Sequence, residues 1–281
     1  MLIDLHAHSQ ASDGSDTPSE LVAQAHSCGL DVLAITDHDT TGGWAEAAAA
    51  AHRHSITLVR GIELTCSHGD ITVHLLGYLH DPTDQTLLAE MAQARTSRER
   101  RAETITEALA TDLQITYEDV LAQVAPGATV GRPHIADALV ARGHVVDRAE
   151  AFTRYLHDGS PYYRPHYSPD VADGVRLILA AGGIPVIAHP FAARRGRVIG
   201  EEVIADLADA GLVGIEAHHL DHTAAQTRQA LDVADRHRLV VTGSSDYHGT
   251  GKTNRLADRT TDPAQFRALL DRETAIEVVR P

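Results

Sequence analysis

The sequence predicts an α/β protein, an irregular β/α barrel carrying an inserted α-helical cap. Three observations predict it. Short apolar, strand-like runs alternate with helical runs from the first residue, the pattern of parallel βα units. That alternation stops from Pro82 to about Leu156, where a stretch dense in Arg and Glu reads as helix, and then resumes. Histidine and carboxylate side chains recur where the strand-like runs end, and in a β/α barrel those ends share one mouth. The barrel is therefore assigned to residues 1–82 and 160–281, and the cap to residues 83–159.

Taken in order, Leu2–His6 reads as the first strand. Thr17-Pro18-Ser19-Glu20 then supplies an N-cap hydroxyl, a proline at the first helical position and the glutamate of a capping box, and Gly29 ends that helix. Asp31–Thr36 is the second strand, followed by an Ala-rich helix around Trp44–His54. Leu58–Thr65 and Ile71–Leu79 are two strands joined by a turn at Ser67-His68-Gly69-Asp70. A helical stretch from about Thr86 to Ala110 opens the insertion, shorter helical pieces follow, and Pro161-Tyr162-Tyr163-Arg164-Pro165 is a loop. A helix after Ser168-Pro169 restores the alternation, with strands at Ile184–Ala188, Val213–Ala217 and Leu239–Gly243 separated by helices. A last helix near Ala264–Asp271 precedes a strand at Ala275–Val279.

Of 281 residues 43% are hydrophobic but only 4% aromatic, so the core is built from Ala, Leu, Val and Ile. No stretch approaches the roughly 20 apolar residues that span a bilayer. The start Met1-Leu2-Ile3-Asp4 lacks the basic segment of a signal peptide. A cytoplasmic location and no membrane partner are expected. Cys28 and Cys66 fit no zinc spacing and read as reduced packing residues. A net charge of −15 argues against the broad basic surface that coats duplex nucleic acid. It leaves room for a small phosphorylated substrate, because bound divalent ions dominate the field of a local site.

The compositional anomaly is 19 histidines. His26, His52, His54 and His237 read as solvated helix residues. Those at strand ends need another account. Residues two apart on a strand share a face, so His6 with His8, and Asp246 with His248, each present two donors to one point. His38 ends the second strand, Glu63 lies late in the third, and His189 ends the strand Ile184–Ala188. Imidazole and carboxylate together suit Mn²⁺, Fe²⁺ and Zn²⁺. Residues spread from His6 to His248 thus converge on one mouth, as in a multi-metal hydrolase. Lone histidines such as His80 and His157 read as ordinary hydrogen-bonding groups. Asp37, Asp39 and Asp4 read as partners that orient ligand imidazoles.

These residues resemble the PHP family, named for its polymerase and histidinol-phosphatase members. The resemblance rests on His6-x-His8 with Ser12-Asp13-Gly14, on Thr36-Asp37-His38, on His189-Pro190 and on Ser245-Asp246-x-His248, completed by Gly61-Ile62-Glu63 and His74. It implies an irregular (β/α)7-type barrel and two to three divalent ions (Mn, Fe or Zn, with Mg as a further option). His6, His8, Glu63 and Asp246 would hold the first, Glu63 with His74 and His189 the second, and Asp13, His38 and His248 the third. Some family members have histidine in place of Asp13; the carboxylate favours Mn²⁺, Fe²⁺ or Mg²⁺ over Zn²⁺ at that point. The implied chemistry is phosphate-ester hydrolysis by a hydroxide shared between ions, with Asp13 and His38 in the catalytic set.

The insertion resembles the helical cap of a nucleotide-acting branch of the family, notably through Gly131-Arg132-Pro133-His134. Arg132 and His134, beside a helix start, are candidates to clamp a phosphate. Arg194 and Arg195 are candidates for the same task, with Lys252 and Arg255 behind them. Tyr162, Tyr163 and Tyr167 read as packing residues. Of His218 and His219, His218 is taken as the candidate proton donor to the leaving oxygen. The expected activity is removal of the 3′-phosphate from nucleoside 3′,5′-bisphosphates. The alternatives are a 5′→3′ exonuclease on short RNA, a histidinol-phosphate phosphatase and a non-catalytic metal-bound scaffold.

Overall fold

A computed structural model describes residues 1–281. Its seven strands lie in the sheet in chain order: β1 (Ile3–Asp4), β2 (Val32–Ile35), β3 (Thr57–His68), β4 (Ile71–Tyr78), β5 (Ile184–Ile187), β6 (Gly214–His218) and β7 (Val240–Gly243). β1 to β3 are parallel, β4 is antiparallel to both its neighbours, and β5 to β7 are parallel again. A parallel bridge from Ala7 to Tyr247 draws the two ends together, His8 N donating to Tyr247 O at 2.8 Å. The result is the expected barrel, nearly closed.

Alternation along the strands produces two apolar layers. In β2, Val32 and Ala34 face inward with Ile3, Leu76, Tyr78, Val186 and Val240. Phe266 and Leu269 of α10 (Pro263–Leu270) complete that inner core. Leu33 and Ile35 face outward and pack with α1 (Pro18–Ser27) and α2 (Trp44–His54). Three further helices complete the outer layer: α7 (Val171–Ala180), α8 (Glu201–Asp209) and α9 (Ala224–His237). Each fully buried aliphatic side chain contributes about 1.5–3 kcal/mol. The α1 start is as expected: Thr17 accepts from Glu20 N, and Glu20 accepts from Thr17 N.

Between β4 and α7 the chain is helical: α3 (Gln85–Leu109), α4 (Tyr117–Leu121), α5 (Arg132–Ala141) and α6 (Arg148–Ala151), the last continuing into a π-helical turn at Phe152–Leu156. These helices bury an apolar cluster of their own, including Ile105, Leu109, Ile135, Leu139 and Leu156.

Three strand expectations change. β1 is shorter than Leu2–His6, because the chain beyond Asp4 leaves the ladder to bring His6 and His8 into the mouth. β3 runs on to His68 to meet β4 at the expected Ile71, so the turn between them is only Gly69-Asp70, with Gly69 at φ 58°. Ala275–Val279 is not a barrel strand. It crosses as a strap, with a single antiparallel bridge between Val279 and Leu58 and an Ala275 N–H bond to Gly182 O.

Candidate metal centre

The parallel strands deliver their last residues to one mouth, and β4 delivers an early one. Because β4 runs against its neighbours, His74 pairs with Thr65 near the end of β3. Glu63 stands at the centre. Its Oε2 lies 3.1 Å from His8 Nε2, 3.2 Å from His38 Nδ1 and 3.3 Å from His6 Nε2. Its Oε1 lies 2.8 Å from His74 Nδ1 and 3.2 Å from His189 Nε2. Asp246 Oδ1 is 3.4 Å from both His6 Nε2 and His8 Nε2. Asp13 Oδ1 approaches His248 Nε2 at 3.3 Å, and its Oδ2 approaches His38 Nε2 at 3.9 Å.

The donor atoms fall into overlapping groups, each within 4.8 Å: His6, His8, Glu63 and Asp246; His38, Glu63 and His74; and His8, Asp13, His38 and His248. All nine expected ligand positions are therefore brought together. His189 joins through Glu63 rather than with His74 in one compact group, and it also groups with His6 and Glu216. The set fits divalent cations. The His6 and His8 Nε2 atoms face each other at 3.1 Å, and the buried Nδ1 atoms of His38 and His74 approach Glu63 without hydrogen-bond geometry. Nitrogen and oxygen donors packed so closely out of water need a shared positive charge.

Burial and charge oppose each other throughout. Burial pushes the His8 ring toward its neutral form, but Asp246 and Glu63 outweigh it and lift the ring to about 9. Burial would raise Glu63, yet His74, His6 and His38 hold it well below the ordinary carboxylate range. His248 falls to about 4, by burial first and then by His8 and Lys252. His189 falls to about 3, by burial and the neighbouring Arg195.

Several residues fix these side chains. Asp37 accepts from Ser9 N at 2.8 Å and from Ser12 Oγ at 2.7 Å, pinning the loop that carries Asp13. A Cβ at Gly14 would collide with the His8 carbonyl, so only glycine lets that loop fold so close. Asp39 accepts from Thr65 N at 2.8 Å and pairs with Arg98 Nε at 2.8 Å. Asp4 accepts from Ser245 N at 3.0 Å, bracing the loop before Asp246. Asp39, His189 and Asp246 all adopt positive φ, at 53°, 30° and 51°. Such backbone costs of order 1–3 kcal/mol per residue and persists where the surroundings enforce it.

The remaining candidates divide. Arg195 reaches the cluster: it pairs with Asp246 and with Asp221, and its Nη1 lies 3.1 Å from His189 Nε2. Lys252 Nζ is 2.9 Å from Asp246 Oδ2. Arg194 does not reach it; its side chain is 69% exposed and meets only Asp221. His218 is half-buried and its ring has no hydrogen bond or ion pair. The next residue, His219, is the buried one, with Nε2 3.4 Å from Asp246 Oδ2 and its ring 5.1 Å from that of His189. A register shift between Glu216 and His218 breaks the two-residue alternation and exchanges the roles of the neighbouring histidines.

Arg132 and His134 do not converge on one point. His134 Nδ1 accepts from Gly131 N at 3.1 Å, and its ring lies toward Asp13 and Arg148. Arg132 donates to Leu156 O at 2.9 Å and Asp158 at 2.7 Å, with its guanidinium 5.6 Å from the Phe152 ring and 5.7 Å from that of Tyr163.

Sequence reasoning missed four participants. Glu216, fully buried in β6, accepts His189 N at 2.9 Å and Ser244 Oγ at 2.8 Å, and faces His6 Nδ1 at 3.1 Å. It therefore fixes which imidazole nitrogen His6 turns to the cluster. A glutamate inside an apolar strand was the available signal. Arg98, Arg101 and His166 form a basic group beside His74. Arg101 has no carboxylate partner; its Nε donates to Arg164 O at 2.7 Å and its guanidinium lies 5.0 Å from the Tyr163 ring centre. Burial and the nearby Arg132 lower Arg101 to about 9, while burial, Arg98 and Arg101 keep the His166 ring neutral. A helix already dense in arginine hid Arg98 and Arg101, and His166 lies in the loop before α7.

Fold and site together define a metal-dependent phosphoesterase. Residues 4–156 match the PHP domain family. The chain is 36% identical, over 99% of its length and 98% of the relative's, to the 3′,5′-nucleoside bisphosphate phosphatase of Chromobacterium violaceum. It is 34% identical to a 5′-3′ exoribonuclease of Haemophilus influenzae, covering 87% of this chain and 89% of that one. A solved structure from Bifidobacterium adolescentis, assigned by inference as a metal-dependent phosphoesterase, superposes with a TM-score of 0.94 at 40% identity over 96% of both chains. The chain belongs to the PHP family and is a hydrolase of phosphate esters. No helix is long and apolar enough to cross a membrane.

Proposed function

We propose that this chain removes the 3′-phosphate from nucleoside 3′,5′-bisphosphates, leaving the 5′-monophosphate and inorganic phosphate. One observation carries the reading: a second basic group, Arg101 with Arg132 beside the neutral His166 ring, stands near the His74 flank of the cluster, and Asp158, paired with Arg132, leaves the Arg101 guanidinium without a carboxylate. A ligand with two separated phosphates satisfies both ends. The 36% identity to a bisphosphate phosphatase over nearly the whole chain supports it.

In this reading His6, His8, Glu63 and Asp246 would hold one ion, Glu63, His74 and His189 a second, and Asp13, His38 and His248 a third. Divalent ions there, with Mn²⁺ or Fe²⁺ favoured by the carboxylate of Asp13, would supply a hydroxide at neutral pH and would neutralise charge on the reacting phosphate. The rest is the work of side chains. Arg195 and Lys252, seated on Asp246, neutralise the equatorial oxygens. His219, whose buried Nε2 makes no hydrogen bond and lies 3.4 Å from Asp246 Oδ2, passes a proton to the leaving oxygen. Arg101 and Arg132 grip the remote phosphate, and binding energy spent there orients the reacting one.

The test is a phosphate-release comparison, with Mn²⁺, of a 3′,5′-bisphosphate, its two monophosphates and histidinol phosphate. The bisphosphate is expected to have the highest kcat/KM. A best rate on histidinol phosphate would refute this choice of substrate.

A second reading, 5′→3′ cleavage of short RNA, is favoured by a cavity of about 920 Å³ beside Asp13 and His248, lined by Ser12, His134, Arg148, Phe152, Lys252 and Asn254. That volume is enough for a nucleotide-sized ligand. Release of mononucleotides from 5′-phosphorylated oligoribonucleotides, faster than phosphate release from the bisphosphate, would favour it.

A further inference from the structure

Two of the residues grouped around Asp13 come from strand exits, but Asp13 and His248 themselves lie in loops. Those loops are knitted to each other. Ser15 N donates to His248 O at 3.1 Å, and Thr250 N donates to Ser15 Oγ at 2.9 Å. What holds the pair from outside is a residue of the helical insertion. Arg148, at the start of α6, clasps Asp137 of α5 with two bonds of 2.6 Å, from Nε and Nη2. Its remaining nitrogen, Nη1, donates to the backbone carbonyl of Asp13 at 3.3 Å. The same nitrogen lies against the turn that follows His248, so close that a Cβ at Gly251 would collide with it. A second tie from the insertion, Thr129 N to Ala11 O at 3.0 Å, holds the same loop.

We propose that Arg148 is a positioning residue for the ion held by Asp13, His38 and His248, and that it makes occupancy of that site depend on how the helical cap is seated. The inference rests on the three-ion reading above. A bidentate pair fixes the plane of the guanidinium, and that plane presents Nη1 to the Asp13 carbonyl and to the Gly251 turn at once. Without it, the loop carrying Asp13 keeps its Asp37 anchor and the Thr129 tie at Ala11 but loses the tie at Asp13 itself. The other groups gain no donor from the Ser9–Ser15 loop and do not feel the loss. Linkage makes the effect reciprocal: an ion that binds better when the cap is seated also holds the cap down.

The experiment is a calorimetric titration of the full chain with Mn²⁺, comparing Arg148→Met, Arg148→Lys and Asp137→Asn with the parent. Arg148→Met is expected to weaken one ion by 10- to 100-fold, the range for loss of a group that orients ligands, while the others keep their affinity. Arg148→Lys, which can still reach the Asp13 carbonyl, should recover part of the loss, and Asp137→Asn should fall between. Saturating Mn²⁺ should slow amide exchange at residues 129–151 in the parent and not in Arg148→Met. Unchanged affinities in a folded Arg148→Met chain would overturn the proposal. Should the parent bind only two ions, the three-ion reading fails on its own, and amide exchange at residues 9–16 of the metal-free protein decides the brace: faster exchange in Arg148→Met supports it, and equal exchange overturns it.

Discussion

Replacing Glu63 by glutamine removes one charge and almost no volume at the point where five imidazoles meet. The carboxylate lies 2.8–3.3 Å from nitrogens of His6, His8, His38, His74 and His189. An ion among those donors sits within about 4 Å of it. There, unit charges interact by about 4 kcal/mol at an effective dielectric near 20. A dication feels twice that, and relaxation of the neighbouring side chains returns roughly half. The net loss is about 4 kcal/mol per ion, or roughly 10³-fold in affinity. Because both Glu63 oxygens are engaged, two ions should weaken together. Asp13→Asn, by contrast, should weaken one. Titration calorimetry with Mn²⁺, with metal content measured after dialysis, reads both numbers. A folded Glu63→Gln chain that keeps the parent's stoichiometry and affinity would refute the shared-carboxylate reasoning.

Arg101→Gln should lower kcat/KM for a nucleoside bisphosphate by roughly 10- to 150-fold, the loss of about 1.5–3 kcal/mol for a charge-assisted bond. A small aryl monoester should be turned over nearly as before, and equal losses on both would move Arg101 to the metals or the fold. His219→Asn should cut kcat on substrates with a poorly activated leaving group and spare those with a good one, whereas His218→Asn should change neither; the reverse pattern contradicts the geometry. His80, buried against Trp44, is lowered to about 4, by burial first. An unfolded ring takes its proton near 6.5, so between those values the unfolded state binds more protons. Stability is therefore full above about 6.5 and lost as pH falls toward 4, by up to about 3 kcal/mol. Denaturant midpoints of His80→Gln should show a flatter slope across that window, and an unchanged slope contradicts the assignment.

The barrel and its cluster were legible because ligand spacing and strand period coincide. His6-x-His8 and Asp246-x-His248 put donors two apart beside strand runs; the structure turns the first pair to one point, whereas Asp246 and His248 divide between two neighbouring groups. The Thr17–Glu20 capping box is likewise a local signal with a local outcome. The misplacements arise where tertiary geometry overrides the period. Two-residue alternation from the inward Glu216 turns His218 inward too, but the register shift hands that place to His219. Arg132 and His134 are close in sequence, yet two positions on a helix diverge by about 200°, so they serve different surroundings. Arg101 and His166 are 65 positions apart in sequence order and meet only through the packing of the insertion against the barrel. The strap at Ala275–Val279 has a strand-like composition but finds only one partner position, at Leu58.

The central claim is that the reacting phosphate is the one on the 3′ carbon, held at the metals while the 5′-phosphate is held at Arg101 and Arg132. A nucleoside 3′,5′-bisphosphate radiolabelled in its 3′-phosphate tests it in one incubation with Mn²⁺. The label should appear in inorganic phosphate, with unlabelled 5′-monophosphate as the other product. Label retained in a nucleoside 3′-monophosphate would show that the opposite phosphate reacts, and would contradict the account.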